Sequence, residues 1–186
     1  MYYCGFGKDF CGDSKINDVN EKSDIIILAF ASSSNNGSII FDDKNYQPSL
    51  VSAWKQKGKL VLISTNGQNN SWAYIFSSQA HTDNFVQSVS GLLQKYNFDG
   101  IDLNIESYEF GASKVVNMII SLRKALGTKI IGLTGKAVSV YQGAPVPNPD
   151  FGGISENYFV YIMKMTDQYI DYYQAKAFDS WFDAEK

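Results

Sequence analysis

Asp102, Asn104 and Glu106 occupy every second position of the otherwise apolar run Ile101-Asp102-Leu103-Asn104-Ile105-Glu106. Burying such groups is unfavourable unless they are paired or used. Side chains alternate along a strand, and i and i+2 neighbours stand roughly 6.6 Å apart on one face. Ile101, Leu103 and Ile105 then point one way, and Asp102, Asn104 and Glu106 the other. Acidic groups crowded together away from water favour their protonated forms. A carboxyl group that keeps its proton near neutral pH can donate it to a leaving oxygen. Glu106, last in the row, is therefore a candidate general acid. The same alternation also fits an edge strand with a solvated polar face, and spacing alone leaves both readings open.

The surrounding chain decides where such a row would sit. Apolar runs alternate with helix-like segments. YYCGF at the start reads as strand one, and DIIILAFA (24–31) as a buried strand two by its unbroken β-branched run. NYQPSLVSAWKQKG reads as a helix with Pro48 in its first turn and Gly58 past its end. KLVLIS (59–64) follows as strand three. Residues 81–97 and 113–126 carry apolar side chains at helical spacing on either side of the acidic strand, strand four. KIIGLTG (129–135) reads as strand five, NYFVYIMKM (157–165) as strand six, and the tail from Tyr172 as an amphipathic helix.

Strands apolar on both faces, alternating with helices, predict an α/β fold with a parallel sheet. An open doubly wound sheet and a closed (β/α) barrel compete. No G-x-G-x-x-G follows a strand, and no phosphate-loop motif occurs; GFGKDFCGDSK lacks the spacing. In a barrel the acidic row would rise through the interior, with Glu106 nearest the carboxyl end of its strand, where such barrels keep their active sites.

The chain has 186 residues, suited to a single domain over 1–186, with 45% hydrophobic and 19% charged residues. Net charge is −3, with Arg123 the only arginine, which argues against nucleic-acid binding. No window reaches the roughly 18 apolar residues of a membrane span. Cys4 and Cys11 are compatible with a disulfide or with two thiols, and are too few for a zinc set. His81, the only histidine, lacks a nucleophile motif and reads as a surface or capping residue. Aromatic side chains suit sugar surfaces as well as cores. Trp72, just past strand three, is a candidate sugar platform, with loop packing as the competing role. Tyr3 on strand one and Met163 on strand six are candidate interior residues, with core packing as theirs.

DGIDLNIE (99–106) resembles the D-G-x-D-x-D-x-E strand-four signature of glycoside hydrolase family 18, the chitinases and their relatives, with the class III members nearest. LVLISTNGQNNSW (60–72) is similar to that family's strand three, DIIILAFA to strand two, KIIGLTGKA (129–137) to strand five and YFVYIMKMTDQY (158–169) to strand six. The resemblance implies a (β/α)8 TIM-type barrel and a substrate-assisted retaining mechanism. Glu106 would protonate the glycosidic oxygen, and the substrate's own acetamide oxygen would attack the anomeric carbon. Asn104 would hold the acetamide N–H, with Asp102 below it, and Asp99 would serve as structural support. It implies no metal or organic cofactor, chitin or another N-acetylglucosamine oligosaccharide as partner, and a secreted location.

Three departures from the pattern stand out. Asn104 replaces an aspartate, so it can accept the acetamide hydrogen bond but cannot offset an oxazolinium charge. At strand six the family's Met-x-Tyr-Asp aligns with Lys164-Met165-Thr166-Asp167, which puts Thr166 in place of the tyrosine and leaves Asp167 as a candidate sugar-binding residue. Asn66 stands where S-x-G-G has its first glycine. The barrel usually needs about 250 residues, so an incomplete barrel of about six β/α units is expected. The expected function is a chitinase-like hydrolase of β-1,4-N-acetylglucosamine linkages, weakened by Asn104. The alternative is a non-catalytic glycan-binding protein on the same fold.

Overall fold

The structure, a computed structural model, describes residues 1–4, 19–43, 48–65, 69–136, 147–151 and 153–176. In chain order it contains β1 (Tyr2–Cys4), β2 (Ile25–Ser33), β3 (Ile39–Ile40), α1 (Pro48–Gln56), β4 (Leu60–Thr65), α2 (Asn69–Ile75), α3 (Gln79–Tyr96), β5 (Gly100–Asn104), α4 (Ala112–Leu126), β6 (Ile130–Lys136), β7 (Pro147–Asn148), β8 (Gly153–Asn157), α5 (Tyr158–Thr166) and β9 (Tyr172–Lys176). One sheet runs β1-β2-β4-β5-β6-β9, with each neighbouring pair parallel. Strand β3 folds back antiparallel on β2, and β7 and β8 form a separate hairpin.

The alternation in residues 101–106 sorts the two faces of β5. Ile101, Leu103 and Ile105 are fully buried in the apolar layer between sheet and helices, with Ile63, Leu133, Phe85, Val115 and Ile119. The polar set faces the other way. Register partners on neighbouring parallel strands share a face. Ser64, Asp102, Gly132 and Tyr172 therefore form one layer of the inner face, and Asn104, Thr134 and Gln174 the next. Two glycines make this layering possible. A Cβ on Gly100 would come 2.1 Å from the backbone oxygen of Ile130, and one on Gly132 would come 2.1 Å from the ring of Tyr172.

The same device fixes the start of two strands. Asp99, before β5, accepts from the Val61 N–H at 2.9 Å and pairs with Lys55 of α1 at 2.8 Å. Asp171, before β9, accepts from the Ile131 N–H at 2.8 Å and pairs with Arg123 of α4 at 2.6 Å. Each carboxylate ties a strand to its neighbour and to a helix cation, consistent with the support role expected of Asp99. Helix α3 is capped at its start by Ser78, whose hydroxyl accepts from the His81 N–H, and at its end by Asn97 in the left-handed region, so His81 belongs to a cap as expected.

The sixth strand of the sheet is not where the apolar run suggests. Residues 158–166 form helix α5, and the strand is Tyr172–Lys176. The Asn157 side chain caps the helix, accepting from the Phe159 and Val160 N–H groups at 3.1 Å each. Its buried residues Tyr158, Phe159, Ile162 and Thr166 recur at helical spacing. The tail expected to be helical begins instead with β9, paired to β6. Cys11, Asn66 and the end of the tail lie outside the described residues.

Candidate active site

Asp102 is fully buried and accepts four hydroxyl hydrogen bonds. Its Oδ2 receives Tyr2 Oη at 2.6 Å and Ser64 Oγ at 2.7 Å. Its Oδ1 receives Thr134 Oγ1 at 2.7 Å and Tyr172 Oη at 3.0 Å. The donors come from β1, β4, β6 and β9, so one carboxylate ties five strands together. Burial, and then the Asp102 charge, push the phenols of Tyr2 and Tyr172 well above the ordinary tyrosine range. All four lone-pair directions of the carboxylate are occupied, which makes Asp102 the floor of the site.

One layer up, Asn104 is 1% exposed. Its Nδ2 donates to Glu106 Oε1 at 3.1 Å, which fixes the orientation of the amide. Its Oδ1 is left buried and without a partner. The Asn104 backbone is held from both sides: its N–H donates to Thr65 Oγ1 at 2.9 Å, and its carbonyl accepts from Trp72 Nε1 at 2.9 Å. Glu106 stands at the carboxyl end of the row with its side chain 28% exposed. Its Oε1 also accepts from Lys176 Nζ of β9 at 2.5 Å. Among the described residues, the groups bonded to Glu106 are thus an ammonium and an amide, where the crowding of like charges expected from the sequence would have placed a carboxylate.

The other sequence candidates fall elsewhere. Trp72 is fully buried, stacked on Phe76 with ring centroids 5.7 Å apart; with no open face it supports the end of β5 and offers no sugar platform. Tyr3 points to the helix side, edge-on to Trp54 at 6.1 Å, while its neighbour Tyr2 faces inward. Met163 lies on α5, on the outer side of the sheet, where its carbonyl accepts from Tyr173 Oη. Asp167 is exposed at the end of that helix. Thr166 bonds within the helix to the Ile162 carbonyl. Met163, Thr166 and Asp167 do not reach the polar row, because α5 is not a barrel strand.

Sequence reasoning missed Tyr2, Tyr172 and Lys176. The signal for the last two is the same period-two polar row, Tyr172-Gln174-Lys176, once 172–176 is read as a strand. Among the described residues, no cluster of three or more His, Cys, Asp or Glu side chains is placed to hold a metal ion.

The sequence matches glycosyl hydrolases family 18 over residues 1–183. The chain belongs to this family. Within family 18 it is 30% identical over 131 residues to a protein of Arthroderma benhamiae named "Probable class II chitinase", a match covering 57% of this chain and 39% of that protein. A family 18 chitinase from Chromobacterium violaceum superposes with a TM-score of 0.69 at 25% identity, over 89% of this chain and 46% of that one. Human YKL-39, described as a pseudo-chitinase with retained chitooligosaccharide binding properties, has the same fold, with a TM-score of 0.63 at 20% identity over 73% of this chain and 43% of its own. The chain spans about two fifths of the length of the Arthroderma relative. Its six parallel strands are those of an incomplete (β/α)8 barrel, as the strand-four signature implies.

Proposed function

We propose that the chain binds β-1,4-linked N-acetylglucosamine oligosaccharides on the inner face of the sheet and hydrolyses them slowly, with retention, by substrate assistance. The observation that carries this reading is the buried, unpartnered Asn104 Oδ1 beside the Glu106 carboxyl group. A buried acceptor without a donor is unfavourable by about 1–3 kcal/mol, and the N–H of an acetamide is a donor that would relieve it. With that N–H on Asn104, the acetamide oxygen would turn toward the anomeric carbon. Glu106 would give its proton to the glycosidic oxygen as the C1–O bond breaks and the acetamide oxygen bonds to C1. Water would then open the oxazolinium with retention, Glu106 taking back a proton. Asn104 offers no charge to the cation. Loss of one preorganised electrostatic partner lowers rates by roughly 10²–10³-fold, hence the slow turnover.

The decisive experiment measures release from a fluorogenic chitooligosaccharide, together with oligosaccharide affinity by calorimetry. Glu106→Gln should lower turnover by at least about 10²-fold and change affinity only a few-fold. Turnover that persists in that variant would remove Glu106 from the mechanism. The cation placed on Glu106 favours a second reading, a glycan-binding protein without turnover. Binding with no measurable hydrolysis at any pH would select it. Secretion is proposed from the family alone.

A further inference from the structure

Among the described residues, the feature of the site that the strand-four pattern does not explain is Lys176. Its ammonium lies 2.5 Å from Glu106 Oε1 while its side chain is only 8% exposed. The Asn104 amide donates to the same oxygen at 3.1 Å. Two donors on one carboxyl oxygen leave it no room for a proton of its own, and an adjacent cation favours the ionised form. The pair is largely removed from water, so its attraction is screened less than that of a surface pair.

Among the described residues, the other charges near Glu106 do not reverse this. Asp102 lies four residues back, on β5, with both oxygens turned to the hydroxyls of Tyr2, Ser64, Thr134 and Tyr172. Glu109, in the segment that follows, is exposed. From β6, the backbone of Lys136 is in register with that of Lys176.

We propose that Lys176 is a positioning residue that sets the protonation of Glu106, holding it as a carboxylate at neutral pH and confining any proton donation to acidic pH. The proposal deepens the glycosidase reading and rests on it for its functional meaning, but the ionisation itself can be measured without substrate.

The test follows the Glu106 δ-carbon by NMR across a pH titration of the full chain carrying ¹³C-labelled glutamate side chains, with the resonance assigned by its loss in Glu106→Gln. In the wild-type chain the midpoint should fall below the ordinary glutamate value of about 4.3; a midpoint at or above it overturns the proposal, whatever the variants do. In Lys176→Met the midpoint should rise by about 1–3 pH units. Lys176→Arg should keep the wild-type midpoint to within about half a unit, a rescue that a purely structural role would not require. A Lys176→Met midpoint equal to wild type also overturns it. Should Lys176→Met fail to fold, Lys176→Gln carries the same expectation, and the wild-type midpoint decides on its own. Where turnover is measurable, the alkaline limb of the rate profile should move up with the midpoint, about tenfold in rate per unit at a pH above both. Chitooligosaccharide affinity is measured in parallel. No sugar binding with a low wild-type midpoint would end the glycosidase reading and leave the Lys176 assignment standing.

Discussion

The two ends of the Asn104 amide differ: its nitrogen donates to Glu106, while its oxygen is buried without a partner and is the acceptor that the proposed mechanism gives to the acetamide N–H. An aspartate there would accept the same N–H and add a negative charge beside the developing cation. Asn104→Asp should therefore raise any hydrolytic rate, by up to roughly 10²–10³-fold. A rate that is unchanged or lower in the fluorogenic assay would count against the assignment of its role. Asp102 works differently, since its oxygens are spent on four hydroxyls. Each hydrogen bond to a charged group is worth about 1.5–3 kcal/mol, so Asp102→Ala should lower stability by roughly 3 kcal/mol or more in urea titrations. A loss below about 1 kcal/mol would show that the four bonds do not hold the strands together. The types and order of these residues were legible in the sequence. Their partners were not, because Tyr2 and Tyr172 are 100 and 70 positions from Asp102.

At the scale of elements, strand six is the instructive error. Residues 157–165 are apolar enough for a buried strand, yet Asn157 offers a cap and the buried positions repeat at helical spacing. Asn157→Ala should cost about 0.5–2 kcal/mol by removing that cap, read by the shift of the denaturation midpoint; no shift would mean that packing alone forms the helix. Strand β9 has weaker apolar character, and its place is set by long-range ties: the pairing with β6 and the Asp171 bridge to Ile131 and Arg123. Gly132 tests the layering directly. An added Cβ collides with the Tyr172 ring, so Gly132→Ala should lose about 1–3 kcal/mol and loosen the Tyr172–Asp102 bond. A fully stable Gly132→Ala chain would mean that Tyr172 can move aside.

The whole molecule shares its fold with family 18 barrels, and among the described residues no helix is long and apolar enough to cross a membrane. Its alkaline behaviour is a property of the assembled sheet. Burial holds the phenols of Tyr2, Tyr158 and Tyr172 above the ordinary tyrosine value of about 10. A raised folded-state value means that the unfolded chain loses these protons first. The stabilisation is complete below about pH 10 and declines as pH climbs beyond it. In absorbance titrations near 295 nm these three of the 12 tyrosines should ionise only as the chain unfolds, and the urea midpoint should fall above about pH 10. If all the tyrosines titrate normally with the fold intact, the buried hydroxyl cluster is wrong.

The sequence by itself determined the face of β5 on which Asp102, Asn104 and Glu106 stand, because side-chain alternation is local and Ile101, Leu103 and Ile105 leave it no choice. It also carried the family signature. Only the tertiary structure decided that Tyr2 and not Tyr3 looks inward, since two adjacent aromatics carry no parity of their own. Burial turned Trp72 from a sugar platform into a brace for β5. Parallel pairing of β6 with β9 brought Lys176 across to Glu106, a neighbour that no spacing within strand four could have named.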